Sequence, residues 1–360
     1  MLNRIDRYIL TRLFNITFFV LMILIFVFII IDFSEKSDDF TDRGATFYEI
    51  LFDYYLHYIP EMIRLVSPVA VFVACLLLAG QLSDRLEIIA LKAAGVSLYR
   101  LMVPFLLFAS VMAVGVHFLD GYVVPNSNSK RSNFERTYIQ KRSDRIDRNQ
   151  IYRQESANRY VLINYFHIAE NTAYRVIFYT FDNGRLSETL EMSRMQWSDD
   201  DERWHMRNGE IRKYSDEGYE IEMFNERDTT FNLLPRDLAR TSSDVYQLTY
   251  PEIRNYLASI ERSGAGGIQM PKVQYYGKVT YPLSIIIVTL IGVSIASVRR
   301  KGGRGVHIAA GLAISFLYMA FMKIIEPFGY SGTIEPLYAA ILPHLFFSLI
   351  GIFLLLAAKK

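Results

Sequence analysis

Apolar positions along the chain fall into long unbroken runs rather than the short amphipathic stripes of a soluble fold. These runs occupy residues 1–120 and 278–358, and the stretch between them is polar. A membrane helix needs roughly 20 consecutive apolar residues. Six stretches meet that length: about 13–33, 60–80, 101–120, 279–298, 306–326 and 335–357. The second has room to begin earlier, because Phe47 to Ile59 is also apolar and aromatic, and Pro60 and Pro68 predict a kink or break in it. The first run is longer than a signal-peptide core, and no small-residue cleavage site follows it, so it reads as a retained helix.

The polar stretch, 121–275, follows a different period. Tyr160–Tyr165 and Tyr174–Phe181 are rich in β-branched and aromatic residues. Asn183-Gly184 and Asn208-Gly209 each lie between such runs and suit the positive φ angles of a hairpin turn. "GYEIEMF", Gly218–Phe224, alternates apolar and acidic positions as a half-buried strand does. The spacing of strands and turns predicts a sandwich, jelly roll or open barrel. Pro251–Arg262 predicts a short helix, and "SGAGG" at 263–267 a linker.

Of 360 residues, 51% are hydrophobic, yet the formal net charge is only +2. No basic footprint for nucleic acid exists. The single cysteine, Cys75, sits in an apolar run, reads as a small hydrophobe, and allows no intrachain disulfide. The cations are placed unevenly. Arg4, Arg7 and Arg12 precede the first run; Arg85, Lys92 and Arg100 lie between the second and third; Arg299, Arg300, Lys301 and Arg304 lie between the fourth and fifth; Lys359 and Lys360 end the chain. With six spans all four segments share one side, which the positive-inside rule makes cytoplasmic. Both termini are then cytoplasmic and the middle domain is outside.

Several chemistries have no motif here. No GxxxxGK[ST] phosphate loop and no HExxH occurs, and the six histidines (57, 117, 167, 205, 307 and 344) lack metal-ligand spacing. His117, His307 and His344, in or beside the spans, read as packing residues. No cofactor is expected in this chain.

Two features remain. "LSDRLEIIALKAAGVS", Leu82–Ser97, is polar-faced and too short to span. Leu82, Leu86, Ile89 and Ala93 recur at helical spacing, Ser83 can cap the start, and Gly95 suits a left-handed stop. The stretch reads either as an interfacial helix or as a docking element for a soluble partner that supplies energy. The second feature is charge at one depth: Asp32, Glu61, Arg64, Lys278, Lys323 and Glu326 lie near the outer ends of spans. Glu61/Arg64 and Lys323/Glu326 are spaced to pair within their own helices. The alternative is a vestibule for an anionic amphipath, with Lys278, Lys323, Arg64 and the nearby Lys36 meeting its phosphates. Gly292 and Gly311 allow close helix approach. Tyr54, Tyr55 and Tyr58, like Tyr275, Tyr276 and Tyr281, read as interface belts.

Over its full length the chain resembles the LptF/LptG permease family of the lipopolysaccharide exporter. The matching pieces are "RIDRYILTRLF", "LSDRLEIIALKAAGVS", "VIFYTFDNGRL", "ERWHMRNGEI", "YYGKVTYPLSIIIVTLIGVSIA" and "LPHLFFSLIGIFLLL". The resemblance implies an α+β membrane protein of the bacterial inner membrane. It has transmembrane helices 1–3 within 1–120, a periplasmic β-jelly-roll at 121–275, and helices 4–6 within 276–360. It implies a related LptF- or LptG-like partner permease and a cytoplasmic LptB-like ATPase dimer that holds the ATP and magnesium. Periplasmic LptC/LptA-like proteins would receive lipopolysaccharide that enters laterally from the outer leaflet. A coupling helix at 83–95 would dock on the ATPase through Glu87, with Arg85, Leu86, Ala90 and Gly95 around it. The outer-domain motifs and length are more LptG-like than LptF-like.

Overall fold

The computed structural model describes residues 3–42, 44–138, 148–167, 170–198, 201–215, 218–231, 233, 235, 238, 242–263, 268–297 and 303–358. The cations at 299–301, those at 359–360 and most of the 263–267 linker lie outside the described residues, as do the side chains of Arg304 and His307. The chain divides into two compact units. One comprises Met1–Ile139, Tyr246–Thr249 and Lys272–Lys360; the other comprises Gln140–Val245 and Tyr250–Pro271.

The helical unit opens with α1 (Arg4–Asp42). A capping box joins Thr46 and Glu49 at the start of α2 (Phe47–Glu49), which continues through a π-helical segment, Ile50–Tyr55, into α3 (Leu56–Asp84). The second span therefore begins at Phe47, and α3 runs on through Pro60 and Pro68 without a break. The short α4 (Glu87–Ala93) precedes α5 (Leu98–Phe118), which passes through a second π segment, Leu119–Val123, into α6 (Val124–Tyr138). The polar residues after 121 thus extend a membrane helix before the β unit begins. After the β unit and α7 (Tyr250–Ser263) come α8 (Gln269–Thr280), α9 (Leu283–Ala296), α10 (Gly303–Tyr330) and α11 (Pro336–Ala358).

Among the described residues five helices are long and apolar enough to cross a membrane, and α8 with α9 makes a sixth span bent by 49°. The bend falls at Pro282, which has no N–H to continue the helical ladder. Helix α9 buries nearly its whole circumference, which is why its sequence is apolar on every face. Phe72 and Cys75 of α3 pack beside it, and the Cys75 thiol lies 3.8 Å from the Thr289 hydroxyl. A Cβ added at Gly292 would lie 2.8 Å from Phe72, and one at Gly311 would meet Leu76 and lie 3.0 Å from Phe72. Both glycines seat α9 and α10 against one phenylalanine, the close approach that their positions suggest.

The β unit is built on one antiparallel sheet whose strands pair in chain order: β1 (Arg148–Ser156), β2 (Arg159–His167), β3 (Thr172–Asp182), β4 (Arg185–Ser198), β5 (Arg203–Ser215) and β6 (Gly218–Thr229). The insertion is a β domain as expected, and its described strands form a sequential meander. Trp204 anchors the core, its indole N–H donating to the Leu233 carbonyl at 2.7 Å. Asn183 and Gly184 have φ of 49° and 81° and close a two-residue hairpin between Asp182 and Arg185.

Asn208-Gly209 does not make a turn; it lies inside β5. The paired residues on either side place Asn208 in one row with Ser193 and Asn225, and with Arg175 and Asn164 beyond Ser193, and this is the row that the ladders from β2 to β6 skip. Along this row Arg175 and Asn208 both have φ of 50°. The buried positions change parity across it: Val161 and Ile163 give way to Phe166, Phe178 and Val176 to Ala173, Leu190 and Met192 to Met195, and Trp204 and Met206 to Ile211. A left-handed residue on alternate strands thus creases the sheet from β2 to β6. The Ser193 hydroxyl donates to the Arg207 carbonyl at 2.9 Å, beside the crease. "GYEIEMF" is a strand, but it lies at the sheet edge: Gly218 to Met223 are exposed on both faces, and Phe224 packs half-buried against the core.

Gly311→Val should overpack the α3/α10 contact and cost about 1–3 kcal/mol. Gly80→Ala, which meets nothing within 4 Å, should leave stability unchanged or slightly raised. Thermal melts in detergent separate the two.

Candidate functional site

Leu82–Ser97 does not form one helix. Helix α3 ends at Asp84, Arg85 caps it, and Leu86 takes a left-handed conformation at φ 62° before α4 starts at Glu87. Ser83 lies inside α3 and caps nothing. The left-handed step resets the helical phase, so the inward face differs from the one that the spacing suggested. Ile88 is buried and Leu91 half-buried, whereas Leu86 and Ile89 are exposed. Left-handed backbone costs a leucine roughly 1–2 kcal/mol. Gly95 ends the segment at φ +84°, as expected of a glycine there.

Glu87 is the first residue of α4, where the free N–H groups favour a carboxylate. Its side chain is 37% exposed, with Arg85 3.8 Å away. Glu87 and Ala90 also line a cavity of about 270 Å³. Its other walls are Ile5, Tyr8 and Ile9 of α1, Leu82 of α3, Leu91 of α4 and Leu101 of α5. Carboxylate, exposed leucine and isoleucine, and an apolar groove therefore meet at one end of the bundle.

Toward the other end of α1 the charged residues form a continuous alternating chain. The Lys36 ammonium contacts Asp32 at 2.9 Å, the Tyr54 hydroxyl, and Glu135 at 3.7 Å. Arg131 sits 3.4 Å from Glu135 and 2.5 Å from Glu61. Glu61 reaches Arg64 at 3.8 Å, and Arg64 reaches Asp120 at 3.7 Å. Asp120 lies 3.8 Å from Lys278, which also donates to the Leu248 carbonyl at 3.0 Å. Both π-helical segments border this chain, one supplying Tyr54 and Tyr55 and the other Asp120. Tyr54 and Tyr55 donate to Asp32 at 3.2 and 3.3 Å. They are buried with Phe40 and Phe134, so they are core residues and not an interface belt.

This geometry changes the reading of the four vestibule candidates. Lys278 is wholly buried, and Lys36 and Arg64 are engaged within the chain of charge. Lys323 is the exception: its side chain is 70% exposed and pairs at 2.8 Å with Glu326 of its own helix. It lies outside the alternating chain that holds Lys36, Arg64 and Lys278. The spacing of Glu61 and Arg64 pointed to their pairing. It did not reveal Asp120, Arg131 or Glu135, whose signal is a carboxylate ending the third apolar run and an acid–base pair at i,i+4 just beyond it. His344 is buried and hydrogen-bonded to Tyr318, the packing role expected of it.

Lys278→Met should leave Asp120 buried with one cation in place of two and destabilise the unit by about 3–5 kcal/mol. Adding Asp120→Asn should recover part of that loss. Detergent melts of the single and double variants test this order.

The family model "Lipopolysaccharide export system permease LptF/LptG" matches residues 7–357. The chain is 22% identical over 369 residues to the lipopolysaccharide export system permease protein LptG of Haemophilus influenzae, covering 100% of both chains. It is 23% identical over 377 residues to LptG of Escherichia coli K12, covering 98% of both. Five apolar helices, a bent sixth span, an inserted β domain and a family match across nearly the whole sequence agree: the chain belongs to the LptF/LptG family of lipopolysaccharide export permeases and is LptG-like within it.

Proposed function

We propose that this permease subunit extracts lipopolysaccharide from the outer leaflet of the inner membrane and hands it to a periplasmic protein bridge. The work is driven from outside the chain by a cytoplasmic ATPase dimer of the LptB kind. The observation that carries this reading is α4, a short helix set off by a left-handed leucine, with Glu87 at its first position beside an apolar groove. Backbone held in an unfavoured region is typical of sites that must present a fixed geometry. Glu87 meets a cation of the ATPase, while Leu86 and Ile89 supply apolar contact. Arg85 orients Glu87, Ala90 allows close approach, and Gly95 ends the helix. ATP and magnesium belong to the ATPase, and this chain performs no catalysis.

In this reading α4 and both termini are cytoplasmic, which the distribution of Arg and Lys supports, and the creased sheet is periplasmic. An LptF-like permease completes the pair in the membrane. LptC/LptA-like proteins add strands at an edge of the sheet, where β6 is the last of the described strands. Lys323 is the cation placed to meet a lipid phosphate, because Lys36, Arg64 and Lys278 are engaged internally.

Glu87→Ala should weaken capture of the ATPase by the purified permease pair about tenfold or more and lower lipid-stimulated ATP hydrolysis in parallel. Unchanged capture and hydrolysis would refute docking through α4. Lys323→Glu should reduce photo-crosslinking to lipopolysaccharide, whereas Lys36→Gln should act mainly through stability, which a melt of the same sample reports.

A further inference from the structure

We propose that the ion pair between Asp6 and Arg100 is the positioning contact that carries movement of α4 into the first membrane helix. The proposal rests on the docking reading of α4 and goes beyond it by naming the route of transmission. Arg100 donates two hydrogen bonds to Asp6, Nη1 to Oδ1 at 2.8 Å and Nη2 to Oδ2 at 2.6 Å. A two-point fork fixes orientation as well as distance. Asp6 is buried, and Oδ2 also accepts from the Asn3 N–H at 2.9 Å. The carboxylate is thus locked to the start of α1 and cannot rotate away freely.

On the other side, little slack separates Arg100 from α4. The Gly95 and Val96 N–H groups return to the Lys92 and Leu91 carbonyls at 3.0 and 2.9 Å. Ser97 then caps α5, its hydroxyl accepting the Arg100 N–H at 3.2 Å. Between α4 and the first turns of α1 lies the 270 Å³ cavity, so the fork supplies a firm link where packing is open.

Helix α1 is suited to act as the driven element. Its buried residues are Asp6, Ile9, Leu13 and Thr17 at one end and Asp32 and Phe40 at the other, with none between. Only 6% of its most apolar stretch is buried within this chain. From Asp6 to Lys36 the helix spans about 45 Å at 1.5 Å per residue. Between those ends its packing residues are half-buried, Ile29 among them against the cluster around Tyr54, and the helix is continuous, so a tilt imposed at the fork is carried along it to the Asp32–Lys36 end of the alternating charges.

The test uses the complete transporter reconstituted in lipid vesicles, with Asp6→Asn and Arg100→Lys tested separately. Arg100→Lys keeps the charge and removes the fork. Three quantities are read: ATPase retained on the permease pair, ATP hydrolysed, and lipopolysaccharide transferred per ATP. Retention and hydrolysis should stay within about twofold of the unsubstituted complex, while transfer per ATP falls roughly tenfold, the scale of a lost charge-assisted fork. Spin labels at Phe26→Cys and Val111→Cys should report an ATP-dependent change in the α1–α5 distance that both fork variants abolish. The one native cysteine, Cys75, is buried and leaves such labelling specific. Unchanged transfer per ATP in both variants would overturn the proposal. So would a loss of retention and hydrolysis in proportion to transfer, which marks a merely structural pair. If the unsubstituted permease retains no ATPase, the docking reading itself fails and takes this inference with it. That failure is distinguishable because it appears before any substitution.

Discussion

Four acids and four bases, alternating from Asp32 to Lys278, form the constraint on which the helical unit is arranged. Ionised groups at membrane depth are costly unless they face one another. These do so across α1, α3, the α5–α6 junction, α6 and α8, so a displacement of any one of those elements is felt by the charges on the others. Asp120 is the pivotal member. It stands between Arg64 from the first triplet of spans and Lys278 from the second, and both its oxygens lie beyond hydrogen-bond distance of either cation. Attraction without close hydrogen bonding holds the triplets together while leaving their separation adjustable. The π-helical turns on either side serve this arrangement. An added residue per turn re-aims Tyr54, Tyr55 and Asp120 toward the charges, a common use of π segments at functional positions.

Much of this was legible in the sequence, for reasons that differ between elements. Spans follow from length and apolarity, which the hydrocarbon core imposes directly. Gly184 and Gly95 follow from φ angles that few other residues take. Misreadings arose where one residue departs from its usual conformation. Leu86 occupies a left-handed position that propensity assigns to glycine or asparagine, and so the inward face of α4 falls on Ile88 and Leu91 and not on Leu86 and Ile89. Asn208-Gly209 has the composition of a turn and the backbone of one residue of a turn, yet the chain continues as strand. The charges were recognisable by their depth. Their partners were not, because pairing across helices depends on packing that spacing along a single helix cannot express.

The division of labour within the chain follows from where contacts are dense and where they are absent. Helix α9 is surrounded, packed through Gly292 against Phe72. Helix α1 is fully buried only toward its ends, packs through half-buried residues between them, and turns Phe14, Phe18, Phe19, Ile23 and Phe26 outward. A buried central helix and a partly exposed outer one are complementary parts of the unit: the former supplies the frame against which the latter packs.

The crease in the β sheet has a consequence for assembly. Each strand that crosses it must bring one particular residue to the same transverse line, and on β3 and β5 that residue must tolerate a positive φ. Sliding any strand by a single position would put the wrong residue on the line and expose its buried set. The crease therefore acts as an index mark: it leaves one alignment for all the strands it crosses, and with it one fixed sequence of donors and acceptors along the outermost strand for any chain that comes to extend the sheet.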